Sequence, residues 1–163
     1  MTRLWLVLLC LALLALVLLG MRVGWRNRMR SQVALPPLPD LPQSLGDPVL
    51  PPLTGLYVGT TFAKSWQDRV IHEGLGLRAA ATIALYRDGV LIDRDGARAI
   101  FLPAASLSGA RLAPGLAGKV IGAGGLLVIS WRYGADAVDT GFRADDKAPY
   151  AEWVRAINGK VAA

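Results

Sequence analysis

Eighteen consecutive residues, Leu4 to Met21, carry no charge, and a helix this apolar has to be withdrawn from water. At 1.5 Å per residue it spans roughly 27 Å, close to the hydrocarbon thickness of a bilayer. Cleavable export signals have shorter apolar cores, about 7 to 15 residues, that end in a small-x-small site. Here the run ends in Leu18-Leu19-Gly20-Met21 and then Arg22, so it reads as a retained anchor. Trp5 and Trp25 flank it, where indoles favour the headgroup level. Arg22, Arg26, Arg28 and Arg30 follow the run, against Arg3 before it. Positive flanks stay on the cytoplasmic side. The expected topology is single-pass in the cell (plasma) membrane, with bilayer contact through residues 4–21 and a cytoplasmic C-terminal domain.

The formal charge of +6 belongs to that flank. Residues 1–30 hold five arginines and no acid, which leaves 13 basic and 12 acidic side chains for the rest of the chain. A nucleic-acid reader concentrates its cations on the folded domain, so no nucleic-acid partner is expected. The single cysteine, Cys10, lies inside the apolar run, and no intramolecular disulfide can form. Leu9 before it does not fit a lipid-attachment motif.

The chain divides into an anchor with basic flank (1–30), a proline-rich linker (31–55) and a folded domain (56–163). The linker contains seven prolines and no basic residue. Proline fixes φ and removes the backbone donor, which excludes a long helix or a central strand. A semi-rigid spacer is expected; a proline-motif ligand for a partner domain is the alternative.

After Leu56 the apolar period becomes two. Leu77, Ala79, Ala81, Ile83 and Leu85 fall on one face, and "VLIDR" is bounded by Asp88-Gly89 and Asp95-Gly96, both turn-forming pairs. Further strands are predicted at "LYVGTTF", "RAIFLP", "LLVISWRY" and "AVDTGFRA", with a weaker one within 104–121. Leu127, Ile129, Trp131 and Tyr133 share one side, as do Val138, Thr140 and Phe142. The period then switches: Tyr150, Trp153, Val154 and Ile157 form a helical stripe. Asp145 and Asp146 suit its start, and Gly159 is expected to end it. About seven strands and one amphipathic helix predict a small antiparallel barrel with a terminal helix against it.

The stretches "LYVGTT", "WQDRV", "LGLRAAA", "GLAGKV", "GLLVISWR" and "DTGFRADDKAPYAEWV" resemble the single-span actinobacterial membrane proteins that carry a pleckstrin-homology-like (PH-like) domain. The resemblance covers residues 56–158. It implies a PH-like antiparallel β-barrel of about seven strands with a C-terminal α-helix, behind one N-terminal transmembrane helix. Members are variously described as transmembrane or export-related proteins. Pleckstrin-homology folds in other proteins hold phosphoinositides in a basic loop between the first two strands, which directs attention to Lys64 and Arg69 as headgroup or partner contacts. Asp68 and Glu73 stand beside them and weaken the local field.

The residues offer little chemistry. His72 is the only histidine and the domain has no cysteine, so a metal site lacks its usual ligands, and His72 is expected at the surface. "GLAGK" at 115–119 has two residues between its glycines and Val120 after the lysine, against the four residues and Ser or Thr of a phosphate loop. Asp145 and Asp146 read as helix-start residues rather than an acid–base pair. No catalytic residue, cofactor or metal is expected. The reading is a non-enzymatic, membrane-tethered interaction or adaptor module with an unidentified protein partner. The alternatives are an anionic-lipid-sensing domain and an accessory subunit of an export or transport system. The membrane-interface residues are Trp5, Arg22, Trp25, Arg26, Arg28 and Arg30.

Overall fold

Period-two patterning requires every strand to bury one face, and a seven-stranded sheet does this here. The computed structural model describes residues 2–33, 35–65, 67–116, 119–120 and 125–162. Two units separate, Met1–Leu35 and Pro36–Ala163. The first is essentially helix α1 (Thr2–Val33). Its segment Trp5–Gly24, 20 residues with mean hydropathy 2.8, is long and apolar enough to cross a membrane. The helix continues through the arginine-rich flank without a break.

The second unit contains β1 (Leu53–Phe62), β2 (Ala79–Tyr86), β3 (Gly89–Arg94), β4 (Ile100–Pro103), β5 (Leu107–Ala113), a short hairpin of β6 (Gly115–Leu116) and β7 (Lys119–Val120), β8 (Leu126–Tyr133), β9 (Asp136–Ala144) and α2 (Tyr150–Ala162). The sheet order is β4-β3-β2-β1-β9-β8-β5, with every pairing antiparallel. Two meanders meet where β1 pairs with β9.

Side chains in register build the core. Ile83, Ile92 and Ile100 line up across β2, β3 and β4, as do Leu85, Val90 and Leu102, and all six are fully buried. Each such side chain contributes about 1.5–3 kcal/mol. The stripe of α2 adds Tyr150, Trp153 and Ile157. A second cluster of Val58, Ala113, Leu116, Leu126 and Val128 arises because a register shift between Tyr57 and Gly59 lets β1 bury Tyr57 and Val58 in succession.

The expected barrel is not closed. The terminal strands of the sheet, β4 and β5, are not neighbours in it. Strand β4 has four residues and ends in Pro103, which lacks a donor. The edge of β5 is taken by α2 instead: the Ala110 N–H donates to Asn158 Oδ1 at 2.7 Å, and Asn158 Nδ2 donates to the Ala110 carbonyl at 3.1 Å. One side-chain amide thus stands where a peptide group of an eighth strand would. Replacing Asn158 with alanine is expected to cost about 1–3 kcal/mol, two hydrogen bonds at roughly 0.5–1.5 each. Amide exchange should accelerate at Ala110 and stay unchanged at Ile129, its register partner across β8.

Three sequence expectations change. Leu77 is 65% exposed and precedes β2 rather than joining its buried face. Helix α2 runs past Gly159 to Ala162, because docking of Trp153 and Ile157 outweighs the propensity of one glycine. The proline-rich stretch is not a free spacer over its described length: Leu38 is 2% exposed, the Val49 N–H donates to the Leu85 carbonyl at 2.7 Å, and β1 begins at Leu53.

Candidate functional site

The connection from β1 to β2, residues 63–78, is long and cannot leave its polar backbone unpaired where it is covered. It folds back on β1. The Phe62 N–H donates to Asp68 O (3.0 Å), Val70 N–H to Thr60 O (2.9 Å) and Thr60 N–H to Leu75 O (2.9 Å), and Thr61 and Arg69 form a β-bridge.

Arg94, only 3% exposed, pins this connection to the β3–β4 turn. Its Nη1 donates to the Gly74 carbonyl at 2.7 Å, while Nε and Nη2 donate to the Arg98 carbonyl at 3.0 and 2.7 Å. The guanidinium carbon lies 5.1 Å from the centre of the Tyr57 ring, within cation–π range. Burial lowers the Arg94 pKa, opposed by Tyr57. Arg98 in turn reaches Glu73 at 3.2 Å and Asp40 at 3.4 Å. At the β8–β9 turn, the Tyr133 hydroxyl donates to the Pro36 carbonyl at 2.5 Å. These contacts gather the β1–β2 connection, the β3–β4 turn, the β8–β9 turn and residues 36–40 at one end of the domain.

The two cations singled out in the sequence are not presented together there. Lys64 is exposed, whereas Arg69 is half-buried and its Nη1 donates to the Gly76 carbonyl at 3.0 Å. His72, expected at the surface, is half-buried; its ring centre lies 6.3 Å from that of Tyr133, and its Nε2 is shut off from solvent without a hydrogen-bond partner. On α1, Trp5 and Arg22 are exposed; the side chains of Trp25, Arg26, Arg28 and Arg30 lie outside the described residues.

Beneath the loop end runs a buried hydroxyl relay. Trp131 Nε1 lies 2.9 Å from Thr140 Oγ1, Thr140 Oγ1 2.7 Å from Thr60 Oγ1, Thr60 Oγ1 2.8 Å from the Tyr57 hydroxyl, and that hydroxyl 2.6 Å from the Leu75 carbonyl. Indole can only donate and a carbonyl can only accept. The order of donation is therefore Trp131 to Thr140 to Thr60 to Tyr57 to Leu75. Burial pushes the Tyr57 phenol from 10.0 to about 12, with the Thr60 hydrogen bond and the positive charges of Arg94 and Arg69 pulling the other way. The relay ties the β1–β2 connection to the sheet interior.

On the outer face, Asp139 accepts from Ser130 Oγ and from Arg111 Nη2, both at 2.6 Å. A hollow of about 470 Å³ over β1, β2 and β3 is lined by Thr54, Thr82, Asp93, Asp95 and Asp145 among others. Among the described residues, no group of three or more His, Cys, Asp or Glu side chains is placed to hold a metal ion.

A meander of four strands, a second meander returning to β1, and a C-terminal helix against the sheet define a PH-type domain. The chain belongs to the bacterial PH domain-like family, whose sequence model matches residues 35–158. No curated protein matches the sequence. A chain of the solved structure "The 8S snRNP Assembly Intermediate" is similar with a TM-score of 0.50 and 9% sequence identity, over 77% of this chain and 89% of that one. At that identity the likeness is one of fold alone.

Proposed function

We propose that this protein is a non-enzymatic adaptor, anchored in the plasma membrane by one pass of α1, whose cytoplasmic PH-like domain docks a protein partner. We place the division between anchor and domain between Leu35 and Pro36, which assigns the prolines from Pro36 onward to the domain. One observation carries the preference for a protein over a lipid headgroup. Three cations of the loop end are already engaged, Arg69 and Arg94 by backbone carbonyls and Arg98 by two carboxylates. A headgroup phosphate would have to displace those bonds before gaining its own.

A bilayer reading draws on a different feature. Ile71 and Leu77, 57% and 65% exposed, stand on the β1–β2 connection with Lys64 and Arg78 exposed nearby in sequence. Residues 36–163 expressed alone are expected not to sediment with anionic liposomes at about 0.15 M salt. Sedimentation that disappears on replacing Ile71 and Leu77 by serine, or Lys64 and Arg69 by alanine, would put the lipid sensor in place of the adaptor. For the topology, a phosphatase fused after Ala163 should be inactive and a fluorescent protein that folds only in the cytoplasm should be bright. The reverse pattern would overturn the orientation.

A further inference from the structure

Residues 36–40, Pro-Pro-Leu-Pro-Asp, lie on the loop end as a bound peptide lies on a receptor. Three anchors hold them. The Pro36 carbonyl accepts the Tyr133 hydroxyl. Leu38 is 2% exposed, although Pro37 before it is exposed. Asp40, with its side chain 99% exposed, reaches Arg98 at 3.4 Å.

The receptor side is shaped for a proline. Gly134 has φ +62, and a Cβ there would come within 2.8 Å of Pro36 Cδ, so the glycine satisfies the turn and leaves room for the ring. Tyr133 stands between Trp131, 5.3 Å away centre to centre, and His72 at 6.3 Å. An aromatic hydroxyl that reads a carbonyl, an apolar plug and a terminal ion pair are the elements of proline-peptide recognition, in which the ligand brings little conformational entropy to lose. Between Pro36 and Asp40 the Pro36 carbonyl makes the one described backbone hydrogen bond. The segment is therefore held by one backbone carbonyl, the Leu38 side chain and the Asp40 carboxylate rather than woven into the sheet.

We propose that the loop end is a docking groove for proline-rich peptides of the pattern Pro-x-Leu-x-Asp, occupied in cis by residues 36–40 and available to such a segment of a partner protein when the cis segment lifts. This rests on the adaptor reading and names the chemistry of its partner. A cis ligand on a short connection competes at millimolar effective concentration, so the resting chain takes external peptide only weakly.

The test uses the full chain in detergent micelles, isotope-labelled, with a synthetic peptide of the sequence of residues 35–41 as probe and the amide signals of Gly134 and Arg98 as readout. The unaltered chain should show a saturable shift only at millimolar peptide. Leu38→Ser should lower the concentration needed at least tenfold, and Arg98→Ala should abolish the preference for this peptide over one with asparagine at the Asp40 position. A Leu38→Ser chain with a native sheet spectrum and no saturable shift would sink the proposal. Should Leu38→Ser fail to fold, Asp40→Asn decides: its exposed side chain is outside the core, and loss of the ion pair should tighten peptide binding about two- to fivefold. No change in that variant would equally overturn the groove. The liposome and fusion assays judge the adaptor reading independently.

Discussion

Replacing Trp153 by alanine is expected to lower the unfolding free energy by about 3–5 kcal/mol, the largest effect of any single truncation in α2. Trp153 is fully buried, and its helix has only Tyr150 and Ile157 as other buried residues. Removing the indole leaves a void that a sheet cannot collapse to fill. The indole Nε1 is buried without a partner, so the side chain acts as apolar volume. Trp153→Phe should therefore cost far less, about 1 kcal/mol. Urea unfolding of the full chain in detergent, followed by the far-ultraviolet strand signal, measures both. A loss below about 0.5 kcal/mol for the alanine variant would mean that α2 is not docked through this face.

Between pH 10 and 12 the domain should lose about 2–3 kcal/mol through Tyr57 alone. Its phenol titrates from 10.0 up to about 12 when folded, chiefly because burial penalises the phenolate. The folded state keeps the proton over an interval in which the unfolded chain releases it. Stability from this group is therefore complete below pH 10 and declines as pH rises toward 12. Tyr133 and Tyr150 are shifted upward by burial too, which adds a decline in the same direction. The comparison that isolates Tyr57 is the slope of stability against pH in the unaltered chain and in Tyr57→Phe. The variant should be less stable at neutral pH, with a shallower slope above pH 10. Equal slopes would show that the phenol is not buried as described.

Strand positions were legible because alternation is local: the segments read at 90–94, 126–133 and 137–144 fall within strands, and those read at 77–86 and 98–103 start two residues ahead of β2 and β4. The start of β1 was misplaced to Leu56, since Pro51 and Pro52 argue against a strand and only the pairing of Leu53 with Ile83 shows where it begins. The helical stripe identified Trp153 and Ile157 correctly as buried. The loop-end site was not legible. It joins residues near positions 36–40, 72–74, 98 and 133, and no pattern within one segment reports such distant meetings. Lys64 and Arg69 were visible as charges, but where the Arg69 guanidinium goes depends on a connection folded back through bonds from Thr60 to Leu75. One signal was present and unused. Thr140 shares an otherwise apolar face with Val138 and Phe142, and a hydroxyl buried there requires a partner.

That hydroxyl has a bearing on how the strands choose their alignment. Apolar alternation distinguishes the two faces of a strand, yet a slip by two residues keeps every side chain on its face. Sliding β9 by two against β1 would set Val138 or Phe142 opposite Thr60 in place of Thr140, whose pairing is the native one. The Thr60 hydroxyl would then meet a hydrocarbon, and the Thr140 hydroxyl would lose the acceptor of its proton. Each stranded group costs about 1–3 kcal/mol, a penalty that falls on the slipped alignments and is absent from the native one. The relay therefore works as a vernier, singling out one alignment among those that hydrophobicity alone leaves nearly equivalent.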